Sequence, residues 1–277
     1  MLQTLVNGQI SDQLAVSDRG LHYGEGLFET LLCIDGQPTL WSRHYQRLQL
    51  GCSTLSLPCP DEGVLLDEVA QLTQDVSRCV IKLMITGGAA GRGYLQPEQQ
   101  QITRIIAAHP VRDLPKDWYT QGIKATVCET RLAVNPALAG LKHLNRLEQV
   151  LARNEWSDSG IAEGLVRDTQ ERVIEGTMSN LFVVHNQRLI TPDLSGSGVA
   201  GVMRAYLLDW AAEHLIEVSV STLTLEQVLQ ADEVFFCNSV LGILPVRELA
   251  ERSYQKGEVT AKLLAHVNQG LLGILCV

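Results

Sequence analysis

Short apolar runs separated by turn residues dominate the chain, and this pattern predicts many strands with a few helices between them. Residues 4–10 surround an Asn-Gly pair, which is a strong local signal for a β-hairpin. The apolar run at residues 26–34 leads into Asp35-Gly36 and residues 37–41, which predicts a second hairpin. Two further strands are predicted at residues 80–86 and 102–108. The first part of the chain is therefore expected to form a sheet.

Helical patterns occupy the intervals between these strands. Ser42 can cap a helix that has Tyr45 and Leu48 on its apolar side. Farther along, Thr224 and Gln227 have the spacing of a capping box. Other helices are predicted at residues 64–72, 202–213 and 258–272.

A further helix is predicted between Lys142 and about Trp156. Leu144, Leu147 and Leu151 recur at helical spacing, so we expect them to form its buried stripe. This interpretation places Lys142 at the start of the helix.

The remaining strands and the linker predict a chain of two mixed lobes. Residues 110–117 contain two prolines and charges of both signs, which favours a linker. We therefore predict a small N-terminal α/β domain over residues 1–112 and a larger C-terminal α/β domain over residues 113–277, an α/β (α+β) fold overall. The strands of the larger domain are predicted at residues 123–129, 163–167, 172–174, 181–185, 188–191, 217–221, 234–237 and 243–247.

Composition excludes several classes of partner and site but does not identify a function. Among 277 residues 45% are hydrophobic and 19% charged, with a net charge of −9, so a nucleic acid or an anionic membrane is not an expected partner. The start of the chain lacks the features of a signal peptide, and no apolar run has membrane-spanning length. Seven cysteines (33, 52, 59, 79, 128, 237 and 276) are scattered without a Cys-x-x-Cys pair, which indicates a reduced, cytoplasmic protein without a metal site.

Lys142 and Glu175 are the first candidates for chemistry. Lys142 lies between leucines, and the field of a helix N-terminus there would lower its pKa and keep the amine nucleophilic. Glu175 is followed by Gly-Thr-Met-Ser-Asn, a run of small polar residues. Such a pair suits pyridoxal phosphate, which needs an amine for a Schiff base and a carboxylate beside its ring nitrogen. The alternatives are a solvated lysine and a plain turn glutamate.

A glycine loop at residues 196–201 matches the Gly-x-Gly-x-x-Gly pattern of dinucleotide sites. We reject NAD because no strand runs directly into Gly196 and because Glu217 begins the next strand instead of ending it. The loop still leads into a helix at Val202 and Met203, whose free amides could bind a single phosphate.

Three other places have a functional and a plain interpretation. Arg92, in a glycine-rich loop, could bind a substrate carboxylate, although the loop could equally be a flexible connection. Arg47 is by default a surface arginine and becomes interesting only beside a phosphate. Asn238 and Ser239 follow a buried strand and could donate hydrogen bonds or simply form a turn.

Together and in this order, these segments resemble the fold-type IV pyridoxal phosphate family, which includes branched-chain and D-amino-acid aminotransferases and aminodeoxychorismate lyases. The resemblance covers nearly the whole chain and rests on residues 17–20, 23–29, 44–48, 142, 175–180, 201–204 and 231–239. It implies a two-domain homodimer with the cofactor between the domains. It also implies a Schiff base on Lys142, pairing of Glu175 with the ring nitrogen, and a phosphate site of Arg47, Val202, Met203, Asn238 and Ser239.

Within this family, residues 138–151 and 91–94 are similar to those of the lyases. Branched-chain aminotransferases typically place a tyrosine shortly after the asparagine that corresponds to Asn145, where this chain has Arg146, Leu147 and Glu148. D-Amino-acid aminotransferases usually have tyrosine in place of Phe28. The resemblance therefore implies elimination of pyruvate from 4-amino-4-deoxychorismate to give 4-aminobenzoate for folate synthesis. An aminotransferase on the same scaffold and a non-catalytic binding protein are the alternatives.

Overall fold

A computed structural model describes residues 3–274, and its contacts divide the chain into two compact units. The first unit ends at Arg112 and also includes Leu141–Asn145. The second unit comprises Asp113–Gly140 and the chain from Arg146 onwards. The division at Arg112 coincides with the predicted domain boundary, while the return of Leu141–Asn145 to the first unit was not foreseen. None of the helices within residues 3–274 is long and apolar enough to cross a membrane.

The first unit is built on a six-stranded antiparallel sheet in the order β2-β1-β6-β5-β3-β4. Its core consists of apolar side chains from the strands and from two helices, with Leu31, Ile81 and Leu65 fully buried. The elements are β1 (Gln3–Val6), β2 (Gln9–Ile10), α1 (Arg19–Tyr23), β3 (Gly26–Ile34), β4 (Gln37–Pro38), α2 (Trp41–Thr54), α3 (Glu62–Thr73), β5 (Arg78–Thr86) and β6 (Thr103–Pro110).

Both predicted hairpins of this unit are confirmed. Asn7 and Gly8 have φ values of 50° and 80°, and Asp35 and Gly36 have 48° and 75°. Positive φ at both central residues is the geometry that two-residue hairpins require, and it explains the Asn-Gly and Asp-Gly pairs. The second strand of the second hairpin is shorter than predicted and contains only Gln37 and Pro38.

The predicted cap of α2 is wrong. The helix begins at Trp41, so Ser42 lies inside its first turn, and Leu40 occupies the capping position with φ of 53° and no side-chain hydrogen bond. The sequence alone did not indicate that Leu40 would take this left-handed conformation, which is uncommon for a branched aliphatic residue.

The second unit contains a nine-stranded mixed sheet, ordered β12-β11-β10-β13-β14-β7-β8-β9 with β15 paired to β14. Its helix α6 coincides with the predicted residues 202–213, and the predicted capping box of α7 is confirmed. The elements are α4 (Asp117–Thr120), β7 (Ile123–Leu132), α5 (Leu147–Arg153), β8 (Ile161–Asp168), β9 (Val173–Gly176), β10 (Asn180–His185), β11 (Arg188–Pro192), α6 (Val202–Glu213), β12 (Val218–Ser221), α7 (Leu225–Leu229), β13 (Glu233–Asn238), β14 (Gly242–Leu249), β15 (Arg252–Ser253) and α8 (Glu258–Leu264), with a π-helical segment at Ala265–Leu271.

The predicted helix after Lys142 is shorter than expected, and its apolar face is exposed where we expected it to be buried. Helix α5 begins only at Leu147, and Leu147 and Leu151 are 77% and 61% exposed instead of buried. Lys142 and Leu144 form backbone hydrogen bonds with β3 instead of the first turn of the predicted helix. The expected buried stripe is therefore wrong.

Six cysteines lie in the described residues, where all are free and five are buried, and Cys276 lies outside those residues. Burial raises the pKa of the Cys52 and Cys128 thiols to about 12. These thiols therefore behave as small apolar groups of the core.

Candidate active site

Lys142 belongs to the first unit because its segment pairs with the start of β3. The Phe28 amide donates to the Lys142 carbonyl at 2.9 Å, and the Leu144 amide donates to the Gly26 carbonyl at 3.0 Å. The Lys142 Nζ lies 4.2 Å from the centre of the Phe28 ring. An ammonium at this distance is attracted by the face of an aromatic ring. The Lys142 amine thus packs against the Phe28 ring, and its backbone is held by hydrogen bonds to β3.

This placement corrects the reason we gave for a nucleophilic Lys142. The residue lies in an extended segment before Arg146, the capping position of α5. The field of a helix dipole falls off within its first turn. Lys142 therefore does not occupy the helix N-terminus from which we expected a lowered pKa.

Arg47 is part of a buried charge cluster with Glu29 and His44. The Arg47 Nε donates to Glu29 Oε1 at 2.8 Å, and a second guanidinium nitrogen bonds the other oxygen. His44 Nδ1 lies 2.6 Å from Glu29 Oε2. The two basic residues share one face of α2 because they are three positions apart.

Electrostatics define the charges in this cluster. Burial raises the pKa of Glu29, but the charge of Arg47 and the hydrogen bonds from His44 and Arg47 outweigh it and lower this pKa to about 2. Burial lowers the pKa of His44, so the imidazole is neutral at pH 7 and its Nδ1–H donates to Glu29. Arg47 is consequently held as a fixed guanidinium, the group that suits phosphate recognition.

In the second unit, Glu175 lies on β9 and contacts the glycine loop. The carboxylate is 5% exposed and accepts the Val199 amide at 2.9 Å. The Asn180 Nδ2 donates to the Val199 carbonyl at 2.9 Å. The loop is therefore fixed through both backbone groups of Val199, and it brings a carboxylate close to the start of α6.

The start of α6 offers unused backbone donors. Gly201 is its capping residue, and no described side chain bonds to the first amides of the helix. The first internal bond runs from the Ala205 amide to the Gly201 carbonyl, which leaves the amides of Val202 and Met203 ahead of the helical ladder. A Cβ on Gly201 would lie 1.8 Å from Asn180 Oδ1, so this close approach requires glycine. Uncapped amides beside a buried carboxylate fit a phosphate-bearing cofactor.

Arg204 strengthens the positive character of this helix end. Its Nε donates to Thr191 Oγ1 at 3.1 Å, and a second nitrogen donates to the Pro192 carbonyl at 2.9 Å. Burial lowers the pKa of Arg204, against the opposing effects of Cys237, Asp193 and Glu175. The guanidinium is thus anchored by the end of β11.

Asn238 and Ser239 differ in what they can offer a phosphate. Asn238 Oδ1 accepts the amides of Val240 and Leu241, and its Nδ2 donates to the Met178 carbonyl at 3.3 Å. The Asn238 side chain is therefore engaged in the turn after β13. Ser239 is 8% exposed, and its hydroxyl has no hydrogen bond to another described residue. Of the two, Ser239 is the better candidate.

Arg92 remains a prediction for substrate binding. Its side chain is exposed and makes no hydrogen bond or ion pair within residues 3–274. The loop that carries it is anchored by Arg19, whose guanidinium donates to the carbonyls of Gly93 at 2.9 Å and Tyr94 at 3.0 Å. A free cation on an anchored loop fits contact with an anionic substrate.

Sequence reasoning missed two buried carboxylates, Glu29 and Glu163. Glu29 lay within the family motif, but no role was assigned to it. The sequence did contain a signal, because a charged residue inside an apolar strand run is rarely buried without a partner. Glu29 in such a run therefore indicated a buried partner. Glu163 likewise lies in β8 among apolar residues and is 1% exposed.

Residues 26–249 match the family model described as amino-transferase class IV. The chain belongs to this family. An aminodeoxychorismate lyase of Vibrio harveyi is 37% identical over 269 residues, which are 95% of this chain and 98% of that protein. A crystal structure of 4-amino-4-deoxychorismate lyase from Pseudomonas aeruginosa superposes with a TM-score of 0.93 at 46% identity, covering 97% of this chain and 99% of that one. A branched-chain-amino-acid aminotransferase of Escherichia coli K12 is 31% identical over 84% of this chain and 79% of its own length.

Membership in the class IV family confirms the predicted fold class and makes the chain a pyridoxal phosphate enzyme. The residues described above fit that cofactor in kind: a lysine amine, a buried carboxylate, a held guanidinium and uncapped helix amides. The roles of these individual residues stay predictions.

Proposed function

We propose that this protein is a pyridoxal phosphate-dependent lyase that converts 4-amino-4-deoxychorismate to 4-aminobenzoate and pyruvate, a step toward folate. The main support is the 46% identity to the Pseudomonas aeruginosa lyase over nearly the whole chain. The Vibrio harveyi relative has the same activity in its name and is more similar than the aminotransferase from Escherichia coli.

The residues that the family resemblance implies would hold the cofactor. Lys142 would bind it covalently, and Glu175 would face its ring nitrogen. Arg47, the amides of Val202 and Met203, and Ser239 would bind its phosphate, with Asn238 shaping the turn beside Ser239. When bound, pyridoxal phosphate accepts the electron pair released from the carbon next to the substrate amine.

Lys142 and Glu175 would then perform distinct tasks. The Lys142 amine removes the proton from the amine-bearing carbon of the substrate. Glu175 would face the ring nitrogen of the cofactor, and its carboxylate accepts the Val199 amide, a hydrogen bond of the kind that favours the charged form of a carboxylate. The anionic substrate also needs cations, and Arg92 is the candidate that lies free on an anchored loop.

The reaction is an internal elimination and needs no co-reactant. A carbon–hydrogen bond breaks at the amine-bearing carbon, and the carbon–oxygen bond to the enolpyruvyl group breaks with it. The ring becomes aromatic as 4-aminobenzoate. The departing enolate takes a proton and is released as pyruvate, so atoms and electrons balance.

Turnover of 4-amino-4-deoxychorismate by the cofactor-loaded protein tests this proposal, with pyruvate and 4-aminobenzoate measured together. Equal formation of both products is expected from the wild type, and none from Lys142→Ala. Lys82→Ala is a matched control because the Lys82 Nζ also lies against the Phe28 ring, at 5.6 Å. Lys82→Ala should retain turnover, and borohydride should trap the cofactor on Lys142. Normal pyruvate release by Lys142→Ala would contradict the mechanism.

The aminotransferase alternative is distinguished by a half-reaction. An aminotransferase mixed with one amino acid transfers the amino group to its cofactor, and absorbance then shows pyridoxamine phosphate. The lyase should keep the absorbance of its resting form under the same conditions. Accumulation of pyridoxamine phosphate without pyruvate release from 4-amino-4-deoxychorismate would favour the aminotransferase.

A homodimer is part of the proposal. Leu147, Val150 and Leu151 share one face of α5 and are 77%, 51% and 61% exposed. An apolar face of this kind is typical of a protein contact. Light scattering should give the mass of two chains, and Leu151→Glu should lower it. A wild-type mass of one chain would contradict the dimer.

A reducing, cytoplasmic location is also proposed. The six cysteines within the described residues are free. Five of them are buried, so the fold itself also protects these thiols from oxidation. Free cysteines are typical of a reducing compartment. Titration of thiols in the denatured protein, isolated without reductant, should find every cysteine reactive.

A further inference from the structure

Glu163 forms a dense hydrogen-bond network with the turn that follows Glu175. Its Oε1 accepts the Thr177 amide at 2.9 Å and the Thr177 hydroxyl at 2.6 Å. Its Oε2 accepts the Ser179 hydroxyl at 2.6 Å. The two hydroxyls of the small polar run after Glu175 thus donate to a buried carboxylate.

Glu163 is a buried anion without an ion pair in the part of the chain that the structure describes. Its side chain is 1% exposed, and each bond it accepts comes from an uncharged donor. Removal of a carboxylate from water costs several kcal/mol. A glutamine of the same shape would avoid that cost, so stability alone does not explain a carboxylate here.

The turn that Glu163 holds joins β9, which carries Glu175, to β10, which begins at Asn180. The Gly176 amide donates to the Ser179 carbonyl at 2.7 Å, which closes the turn directly after Glu175. A Cβ on Gly176 would lie 2.9 Å from Glu163 Cδ, so the carboxylate packs against the turn backbone itself. Asn180, the first residue after the turn, donates to the carbonyl of Val199, the residue whose amide donates to Glu175.

We propose that Glu163 is a positioning residue that fixes the direction of the Glu175 carboxylate by holding the turn 176–179. The inference rests on the proposed function, since it gives Glu175 the task of facing the cofactor ring nitrogen. Glu163 does not touch the reacting atoms in this assignment. Glu163 accepts four hydrogen bonds, and the three from Thr177 and Ser179 hold the turn in one conformation.

Glu163→Gln tests the proposal because it retains the shape and changes one carboxylate oxygen into a donor. The matched control is Glu233→Gln, since Glu233 is a buried glutamate of the same unit that accepts the amides of Val259 and Thr260 at the start of α8. Both proteins are loaded with pyridoxal phosphate. The measurements are the pH dependence of the cofactor absorbance, kcat and KM, and the melting temperature without cofactor.

For Glu163→Gln we expect a shifted midpoint of the absorbance titration and a kcat lower by on the order of tenfold, with KM changed by less than about twofold. Its melting temperature should stay within about 4 °C of the wild type. Glu233→Gln should leave the titration and kcat unchanged. Ser179→Ala, which removes one donor only, should give a smaller change in the same direction as Glu163→Gln.

An unchanged absorbance titration in both Glu163→Gln and Ser179→Ala would overturn the inference. So would an equal change in Glu233→Gln, because the effect would then reflect general loosening of the unit. Failure of the proposed function would look different. In that case the wild type itself would bind no pyridoxal phosphate or release no pyruvate.

Discussion

Glu29→Gln tests the buried charge cluster of the first unit most directly. The substitution retains the side-chain shape but leaves the Arg47 guanidinium without its anion. Burial raises the pKa of Glu29, and Arg47 with His44 lowers it from the ordinary value of 4.5 to about 2. Since each pKa unit is worth about 1.36 kcal/mol, ionised Glu29 should stabilise the fold by about 3 kcal/mol. Loss of one partner from a buried ion pair typically costs about 3–5 kcal/mol, which is the same range.

The effect should depend on pH in a defined window. Because the folded pKa lies below the unfolded one, the stabilisation is fully present above pH 4.5 and is lost as the pH falls to about 2. The difference in free energy of unfolding between the wild type and Glu29→Gln should therefore be about 3 kcal/mol at pH 7 and approach zero near pH 2.

Urea denaturation of the cofactor-free proteins at several pH values measures this difference. Glu258→Gln is a suitable control, because Glu258 forms an exposed ion pair with Lys262 on α8 and should change stability little. A Glu29→Gln difference below about 1 kcal/mol at pH 7 would refute the reasoning, since that is the value of a surface pair. So would a difference that stays constant down to pH 2.

Three further outcomes follow from the site. Gly201→Ala should weaken cofactor binding by on the order of tenfold in an absorbance titration, because the new methyl group meets Asn180, whereas Gly91→Ala has open space and should not. Arg92→Gln should raise KM for 4-amino-4-deoxychorismate with kcat unchanged, and an unchanged KM would remove it from substrate binding. Glu175→Gln should retain cofactor but lower kcat in a product assay, and an unchanged rate would exclude its proposed task.

Local signals predicted the elements whose structure is set locally. The hairpins at Asn7-Gly8 and Asp35-Gly36 follow from residues that tolerate positive φ, and the start of α6 follows from the glycine that precedes it. The exposure of Leu147 and Leu151 could not be predicted from such local signals. A helical repeat shows that two residues share a face, but the surroundings of that face are set by distant parts of the chain.

The site was predictable to the extent that a motif marks it. Lys142 and Glu175 stood out by chemistry, while the proposed phosphate residues came from family resemblance. Glu29 and Glu163 escaped because their importance lies in burial and in partners far along the chain. A single sequence shows which residues are charged, but it does not show which of them lose contact with water.

The pairing of residues 141–145 with β3 restricts how the gene can be divided or recombined. A fragment of residues 1–112 would end before Lys142 is encoded. A fragment from residue 113 onwards would encode Lys142 without Gly26 and Phe28, whose backbone groups hold its segment. Chimeras that exchange the first unit between relatives should therefore carry residues 141–145 with it. In the sequence, Lys142 stands between the two segments of the second unit, but in the structure it belongs to the first unit.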